Sequence, residues 1–491
     1  MKINKTKLTL ILIICLAFIL RLAALFRYGD FWSDEMFNFV YSQKPWLLSI
    51  TKFWIWETNP PLHTFLLKLW FYIFPANEFW TRMPSLIFGV LSVYFIYLFA
   101  KKLFNAKTGL IGAGLLAISS YHIFISDTAR VYSIFIFLTI AASMYFYEIF
   151  LTDNAAKKNK IIFTALVVFL LYAHLTATVL LFGQFLYLLV FKKTRAVSWI
   201  KTVIIPVMLW LIWAVPSFYF KFTNPSLGQA WYFQISNKWA EKAQSLQPLF
   251  TGPSPLYFGL IIMMLFLLAV ALAIFKQKQA KAVNPNFKWL IFSAVLPIAA
   301  MTMLNVWNIK FFIISWPFIF IIIGYLLNLY INSNLILITA IFVFSLPGIV
   351  GLTKLLPIND WGSTNTYLNQ EYNKNKKQIV VYTHFSDKYH IDRYYTGQMP
   401  DIPYYPDASA AKRDWDFDLI TKNYLIHTFP KDETQKWVKE ARLENYTDLY
   451  LFYNSQENDN LKKTIEENGW KQAGVFKPRL LEYDQLIKYV R

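Results

Sequence analysis

The stretch 28–63, YGDFWSDEMFNFVYSQKPWLLSITKFWIWETNPPLH, decides how the rest of the chain is interpreted. It begins directly after an apolar run, residues 8–26, that is long enough to cross a bilayer. Two adjacent carboxylates, Asp34 and Glu35, stand near its start. Acidic side chains are costly beside a membrane and are retained there mainly where they serve a function. The stretch therefore predicts a functional loop at a membrane surface.

The composition indicates an integral membrane protein. Of 491 residues, 56% are hydrophobic and only 16% are charged, and the mean hydropathy is +0.37. The net charge of +19 does not indicate nucleic-acid binding, because the basic residues form short clusters between apolar runs, which is typical of membrane topology. The single cysteine, Cys15, lies in the first apolar run and excludes an intrachain disulfide.

The apolar runs predict a polytopic α-helical protein with about eleven transmembrane helices. The predicted spans are residues 8–26, 84–100, 109–126, 131–151, 161–175, 177–191, 203–220, 256–275, 289–306, 311–329 and 335–352. Basic clusters flank both ends of the run 161–191, which favours an even number of crossings within it. The run therefore predicts two spans with a turn at His174. The positive-inside rule places these clusters and the N-terminus in the cytoplasm. An odd number of crossings then places the tail outside the inner (plasma) membrane.

Two further regions complete the predicted fold. The first external loop contains aromatic segments at 45–57 and 60–74, which suit interfacial helices. Residues 357–491 are polar and predict an extracytoplasmic soluble α/β domain with a largely parallel sheet, separate from a transmembrane catalytic domain at 1–356. Its predicted strands are 378–385, 418–426, 447–453 and 472–476, and its predicted helices are 433–443 and 460–468.

Ionisable residues gather at the predicted outer ends of the spans. They are Asp34, Glu35, Arg82, Asp127, Arg130, His174 and Lys310. Carboxylates among cations suit a reaction in which a base removes a hydroxyl proton while the cations receive an anionic leaving group. A phosphate leaving group needs no protonation, so a single carboxylate base suffices. Single displacement would invert the anomeric centre of a transferred sugar.

Several motifs, in this order and spacing, resemble those of the GT-C membrane glycosyltransferases. The resemblance is to the bacterial branch similar to protein O-mannosyltransferases and to the lipid A aminoarabinose transferase. The motifs are the Asp34-Glu35 pair, Asn59-Pro60-Pro61-Leu62-His63, Arg82-Met83-Pro84-Ser85, Asp127-Thr128-Ala129-Arg130-Val131-Tyr132-Ser133, Tyr172-Ala173-His174, Lys310-Phe311-Phe312 with Pro317, and Asp360-Trp361-Gly362.

The resemblance implies a reaction and a set of roles. The donor would be a sugar linked to polyprenyl phosphate, and the acceptor would be a hydroxyl of a lipid, glycan or protein on the extracytoplasmic face. Asp34 would be the general base with Glu35 as its support, while Arg82, Arg130 and Lys310 would bind the donor phosphate. The remaining candidates would bind substrate or serve the structure: Asn59, His63, Asp127, Tyr132 and His174. Lys310 stands where related sequences usually have arginine, and Asn59 stands where they often have histidine, a common metal ligand. The resemblance therefore assigns no cofactor, and a divalent metal stays an option.

Other interpretations of the same residues remain open. Asp34 and Glu35 could cap a helix at a solvated loop start, and Arg82 and Arg130 could be interface anchors that extend toward water. His63 and His174 could be structural hydrogen-bonding residues. At the level of function, a lipid or sugar transporter without bond cleavage would also place charges within the membrane. A noncatalytic envelope protein whose tail binds a partner is a third alternative.

Overall fold

A computed structural model describes residues 5–53, 59–152, 156–223, 256–279, 284–306, 308–356, 359–383, 387–404, 431–454, 459–480 and 485–491. Up to residue 356 it is helical. The helices are α1 Lys5–Leu25, α2 Ser33–Gln43, α3 Leu62–Trp70, α4 Glu78–Leu103, α5 Ala106–Ile118, α6 Ser120–Ser126, α7 Tyr132–Phe146, α8 Lys157–Ala173, α9 Ala177–Phe191, α10 Lys193–Thr223, α11 Leu256–Gln279, α12 Pro285–Met303, α13 Trp316–Tyr330 and α14 Asn334–Leu355, with short turns at Trp46–Leu48, Ser49–Phe53, Tyr147–Leu151, Ile309–Phe312 and Ile313–Ser315.

The chain is a multi-pass membrane protein, and every predicted span coincides with a helix or a helix pair. In the described residues, seven helices are long and apolar enough to cross a bilayer, or eight if the bent pair α5 and α6 is one span. Helices α8 and α9 have 17 and 15 residues, which is short of the roughly 20 that a bilayer requires. The predicted break at His174 is confirmed, because α8 ends at Ala173 and α9 begins at Ala177. Eleven crossings stay a prediction.

Buried aromatic and small residues hold the helices together. The Trp289 ring lies 5.7 Å from that of Phe99 and 5.9 Å from those of Phe146 and Phe318, counted between centroids. Gly324 of α13 packs so closely on α5 that a Cβ there would lie 3.2 Å from the backbone nitrogen of Gly112. Small residues allow such approaches, which drive helix association in lipid.

The chain forms two compact units. The first comprises Met1–Phe26, Glu57–Phe218 and Trp231–Leu356, and the second comprises Arg27–Trp56, Tyr219–Ala230 and Pro357–Arg491, taking in each case their described residues. The stretch with Asp34 and Glu35 therefore shares a compact unit with the tail. In the first external loop, helical turns run over Trp46–Leu48 and Ser49–Phe53, and α3 runs over Leu62–Trp70. Residues 54–57 of the predicted interfacial segment lie outside the described residues.

The tail contains a mixed sheet with helices on both of its faces. The helices are α15 Trp361–Glu371, α16 Asp387–Tyr394, α17 Lys431–Glu440 and α18 Asp459–Glu467, and the strands are β1 Gln378–Tyr382, β2 Asp401–Pro403, β3 Asp448–Tyr453, β4 Lys471–Phe476 and β5 Gln485–Val490. The strand order is β2-β1-β3-β5-β4. Alternate residues of β1 and β3 enter two cores, one with Trp437 of α17 and one with Trp361 of α15.

The α/β prediction for the tail is confirmed, with one correction. Strand β1 is parallel to β2 and β3, whereas β5 is antiparallel to both β3 and β4, so the sheet is mixed and not largely parallel. The physical reason is the short connection from β4 to β5, which permits only antiparallel pairing, since a parallel return needs a crossover of a dozen or more residues. The predicted strand at 418–426 lies outside the described residues.

Candidate active site

The segment between α6 and α7 belongs to the first unit and is joined to α4 by hydrogen bonds. Asp127 ends α6, and its backbone N–H donates to the carbonyls of Ile123 and Phe124 at 3.2 Å. The hydroxyl of Ser85 donates to the carbonyl of Arg130 at 3.1 Å, and that of Ser133 donates to the carbonyl of Ser85 at 2.6 Å. These bonds fix the segment against α4, less than one helical turn beyond the buried Arg82.

Two of the predicted cations meet at one aromatic ring. The guanidinium carbon of Arg130 lies 6.0 Å from the ring centroid of Tyr132, and the Nζ of Lys310 lies 5.8 Å from it. Lys310 occupies the short turn Ile309–Phe312, where the Asn308 side chain accepts a hydrogen bond from its backbone N–H at 3.0 Å. Residues from distant parts of the sequence thus form a cationic site around Tyr132, supported by cation–π contact.

His174 lies in the same cluster, at the turn between α8 and α9. Arg130 and Lys310 both act on it electrostatically. Its ring centroid is 6.2 Å from that of Tyr132 and 5.0 Å from that of Phe135. Its Nδ1 forms a 2.9 Å hydrogen bond with the hydroxyl of Thr176. This bond supports a structural contribution of His174 to the turn, beside the cations.

A hydrogen bond to a backbone carbonyl that Pro84 leaves without a helical partner holds α3, and with it His63, against α4. Pro84 lacks an N–H, so the carbonyl of Trp80 loses its helical partner, and the indole N–H of Trp70 donates to that carbonyl at 2.9 Å. Asn59, which is partly buried, precedes α3. His63 is only 3% exposed, and neither ring nitrogen has a hydrogen-bond partner among the described residues. Burial, reinforced by the charge of Arg130, lowers the pKa of His63 to about 3.

The sequence interpretation missed a buried cation, Arg21, which holds the break between α5 and α6. Its guanidinium donates to the carbonyls of Leu116 and Ala117, at 3.3 and 3.0 Å, where α5 ends. It also donates to His122 Nδ1 and, at 3.2 Å, to the hydroxyl of Ser126. Asp127 acts on Arg21 electrostatically. A charge inside the apolar run 8–26 was the signal that could have identified this residue.

The predicted acidic pair lies in the second unit. Asp34 and Glu35 occupy the first turn of α2, where negative charge interacts favourably with the helix dipole. Asp34 is partly buried, and Glu35 is fully buried. The backbone N–H of Glu35 donates to the carbonyl of Trp32 at 2.9 Å. Burial of Glu35 argues against a fully solvated loop start for this pair, although its helix-terminal position agrees with the capping interpretation.

Metal binding finds no ligand set in the described parts of either unit. No three side chains of His, Cys, Asp or Glu type lie there in a group able to hold a metal ion. Tetrahedral and octahedral protein sites generally use several such ligands.

Comparison with known proteins finds one matching family model and several similar folds. Residues 58–220 match the family model described as dolichyl-phosphate-mannose-protein mannosyltransferase. Compared by sequence alone, no curated protein matches the chain. The fold is similar to that of ArnT from Cupriavidus metallidurans, solved in the apo state and with undecaprenyl phosphate bound. The apo structure is 12% identical at a TM-score of 0.57, with coverage of 98% of this chain and 97% of that one, and the complex has the same TM-score and coverage at 11% identity.

A second similar fold is that of the Archaeoglobus fulgidus oligosaccharyltransferase in its apo form. It is 12% identical at a TM-score of 0.55, with coverage of 91% of this chain and 70% of that one. The family match includes Arg82, Asp127, Arg130 and His174, and the shared fold extends over nearly the whole chain. Residues 58–220 therefore resemble the dolichyl-phosphate-mannose-protein mannosyltransferases, and the chain as a whole has a fold similar to that of ArnT.

Proposed function

We propose that this protein is an inverting glycosyltransferase that moves a sugar from a polyprenyl-phosphate-linked donor to an acceptor hydroxyl on the extracytoplasmic face of the membrane. The observation that carries the proposal is the convergence of Arg130 and Lys310 on Tyr132, within a chain whose residues 58–220 match a lipid-linked mannosyltransferase family. The similar ArnT fold with undecaprenyl phosphate bound supports a phosphate-linked polyprenyl donor.

The cations provide the site for the leaving phosphate. Arg82 and Arg130 are 2% and 7% exposed, so their charges lie in surroundings where electrostatic interactions are stronger than in water. Guanidinium groups bind phosphate oxygens through paired hydrogen bonds, and the ammonium of Lys310 adds a point charge. As the bond between the anomeric carbon and the phosphate oxygen breaks, these groups stabilise the charge on polyprenyl phosphate.

Asp34 provides the general base. It accepts the proton of the acceptor hydroxyl while the hydroxyl oxygen forms a bond to the anomeric carbon, and the polyprenyl phosphate departs from the opposite face. One displacement inverts the configuration, and the proton stays on Asp34 until solvent removes it. Glu35 is fully buried beside Asp34 in α2 and supports its position. Because the ring nitrogens of His63 have no hydrogen-bond partner within the described part of the chain, its neutral imidazole can bind a substrate oxygen.

The decisive experiment follows a radiolabelled sugar on undecaprenyl phosphate, incubated with purified protein and a membrane extract as the source of acceptor. Mannose, glucose and aminoarabinose donors are tested in turn. We expect transfer of label by the wild type and a loss of about 100-fold or more in Asp34→Asn, since general base catalysis contributes about 10²–10⁴-fold. Equal turnover by Asp34→Asn would remove the base assignment, and counterflow of intact donor in proteoliposomes without cleavage would replace transfer by transport.

The phosphate site has a closely matched control within the chain. Lys310 lies 5.8 Å from the Tyr132 ring, and Lys101 lies at the same distance from the Tyr97 ring. Lys310→Gln should weaken binding of undecaprenyl phosphate about tenfold, since a charge-assisted contact contributes roughly 1.5–3 kcal/mol. Lys101→Gln should leave binding unchanged. Equal effects of the two substitutions would show that the loss is not specific to the Tyr132 site.

A further inference from the structure

The backbone that precedes Asp34 is bound to the tail at consecutive residues. Gly29 forms an isolated parallel bridge with Asn359 and has a φ of 90°, a conformation that favours glycine. The backbone N–H of Asp30 donates to the carbonyl of Asn359 at 3.0 Å. All of these residues belong to the second compact unit. The start of the stretch that carries Asp34 is thus fixed by a segment more than 300 positions later in the chain.

The carboxylate of Asp30 binds the N-terminus of a tail helix. Its Oδ2 accepts hydrogen bonds from the backbone N–H groups of Trp361, at 2.7 Å, and Gly362, at 3.3 Å, which open α15. The next N–H, of Ser363, donates to the Oδ1 of Asp360 at 2.9 Å. The first N–H groups of a helix have no partner within the helix, and the helix dipole attracts negative charge there. Asp30 and Asp360 therefore divide the capping of α15 between them.

The next residue, Phe31, is held by its backbone. Its N–H donates to the hydroxyl of Tyr394 at 3.0 Å, and its carbonyl accepts from Asn359 Nδ2 at 3.0 Å. A ring nitrogen of His390, which is fully buried, lies 3.1 Å from the same carbonyl. The guanidinium carbon of Arg393 lies 5.5 Å from the centroid of the Phe31 ring. The tail thus satisfies both backbone groups of this residue.

We infer that these contacts position the general base. We call them the Asp30 anchor, defined as Gly29, Asp30 and Phe31 bound to Asn359, Trp361, Gly362, His390 and Tyr394. The anchor fixes the chain immediately before α2, whose first turn carries Asp34 and Glu35. Asp30 is a positioning residue and takes no proton in the reaction. The inference rests on the proposed function only in giving Asp34 the role of base.

The geometry implies a specific kinetic signature. An anchor that positions the base contributes to the chemical step and not to binding of the lipid phosphate, so its loss lowers kcat while donor affinity stays unchanged. A contact that only stabilised the tail would instead lower the amount of folded protein and leave kcat per folded molecule unchanged. The two roles therefore differ in a measurable quantity.

The test compares Asp30→Ala, Asp30→Asn and Asp360→Ala in the full chain. Asp360→Ala removes a cap of the same helix α15, but its side-chain oxygen bonds within the tail and does not bind residues 29–31. We expect Asp30→Ala to lower kcat about tenfold or more, with Asp30→Asn in between because its amide oxygen still accepts hydrogen bonds but lacks the negative charge. Undecaprenyl phosphate binding should be unchanged in all three, and kcat should be unchanged in Asp360→Ala.

Hydrogen–deuterium exchange provides a readout that does not depend on activity. The amides of Glu35 and Met36 donate to the carbonyl of Trp32 at 2.9 Å, so they report on the order of the first turn of α2. Their exchange should accelerate about tenfold in Asp30→Ala and stay unchanged in Asp360→Ala. Unchanged exchange and unchanged kcat in Asp30→Ala would overturn the anchor. Wild-type turnover by Asp34→Asn would overturn only the base assignment, since the exchange result would still stand.

Discussion

At the scale of single residues, His63 is a neutral imidazole in the folded protein, because burial and the nearby charge of Arg130 lower its pKa to about 3. In the unfolded chain its pKa returns to about 6.5. Between these two values the unfolded state binds one more proton than the folded state, so stability falls as the pH decreases through this window. Well above pH 6.5, His63 is neutral in both the folded and the unfolded state, so this loss of stability does not occur.

The dependence of folding stability on the protonation of His63 can be isolated by comparing the wild type with His63→Leu. At pH 5 the wild type should lose roughly 2 kcal/mol relative to pH 7.5 through His63 alone, at about 1.4 kcal/mol per pH unit. The difference in melting temperature between wild type and His63→Leu should therefore shrink, or reverse, on going from pH 7.5 to pH 5. The neighbouring buried Thr64 does not titrate, so the melting difference of Thr64→Val should be the same at both values. A pH-independent difference for His63→Leu would refute the lowered pKa.

Gly89 allows α4 to approach the Arg21 cluster closely. A Cβ at this position would lie 2.2 Å from Ser126 Oγ and 2.7 Å from Ser126 Cβ, and 3.2 Å from Arg21 Nε. Gly89→Ala should therefore lower stability by about 1–3 kcal/mol through overpacking, measured by thermal unfolding in detergent. Gly114→Ala is the control, since nothing lies within 4 Å of its added Cβ. In Gly89→Ala combined with Ser126→Gly, the two losses should be less than additive; full additivity would disprove the clash.

At the scale of elements, the bend between α5 and α6 organises the segment that carries Asp127 and Arg130. The two helices meet at 64°, and the last carbonyls of α5 lack helical partners. The hydroxyl of Ser119 caps α6 by accepting from the His122 N–H at 3.4 Å, while Arg21 binds the carbonyls of Leu116 and Ala117. The bend is thus stabilised from both sides.

Arg21→Met should therefore be destabilising by about 3 kcal/mol or more, because buried carbonyls lose their donors and a buried charge loses its partner. Arg21→Lys keeps the charge without the planar set of donors, so we expect an intermediate loss. Arg27→Met, at an exposed position after the same helix, should have little effect. Thermal unfolding and transfer activity should fall together, since the segment 127–130 follows the bend. Equal stability of Arg21→Met and Arg27→Met would contradict this role.

The elements were predictable from sequence to different extents, for physical reasons. Long apolar runs identified the helices because lipid leaves the backbone few alternatives. Strand β1, Gln378–Tyr382, was predictable from its buried β-branched residues, whereas β2, Asp401–Pro403, has three residues and too little pattern. Strand β5, Gln485–Val490, was missed although its buried residues are apolar, and without it the antiparallel half of the sheet could not be expected.

At the scale of the whole molecule, the candidate residues divide between the two compact units. Arg82, Arg130, Lys310 and His174 lie in the first, and the Asp34 and Glu35 turn shares the second with the tail. Their place at the predicted outer ends of spans and the family resemblance selected these positions, and their roles in the reaction stay a prediction. The Asp30 anchor could not be predicted, because a hydrogen bond between residues separated by 331 positions leaves no local pattern.

The number of membrane crossings is also a property of the whole molecule, and an experiment can show whether it is odd or even between two chosen positions. Between Lys158 and Lys374, both exposed, the eleven-span arrangement has seven crossings, whereas the helices that satisfy the length and composition requirement give four. With the single native cysteine removed by Cys15→Ala, we introduce Lys158→Cys or Lys374→Cys and label intact cells with a membrane-impermeant maleimide. Eleven spans predict that only Lys374→Cys reacts, because the basic loop stays cytoplasmic. Both should react after permeabilisation, which controls for access. Matching behaviour of the two cysteines in intact cells would require an even number of crossings between them, and absence of reaction at both positions would remove the extracytoplasmic placement of the tail.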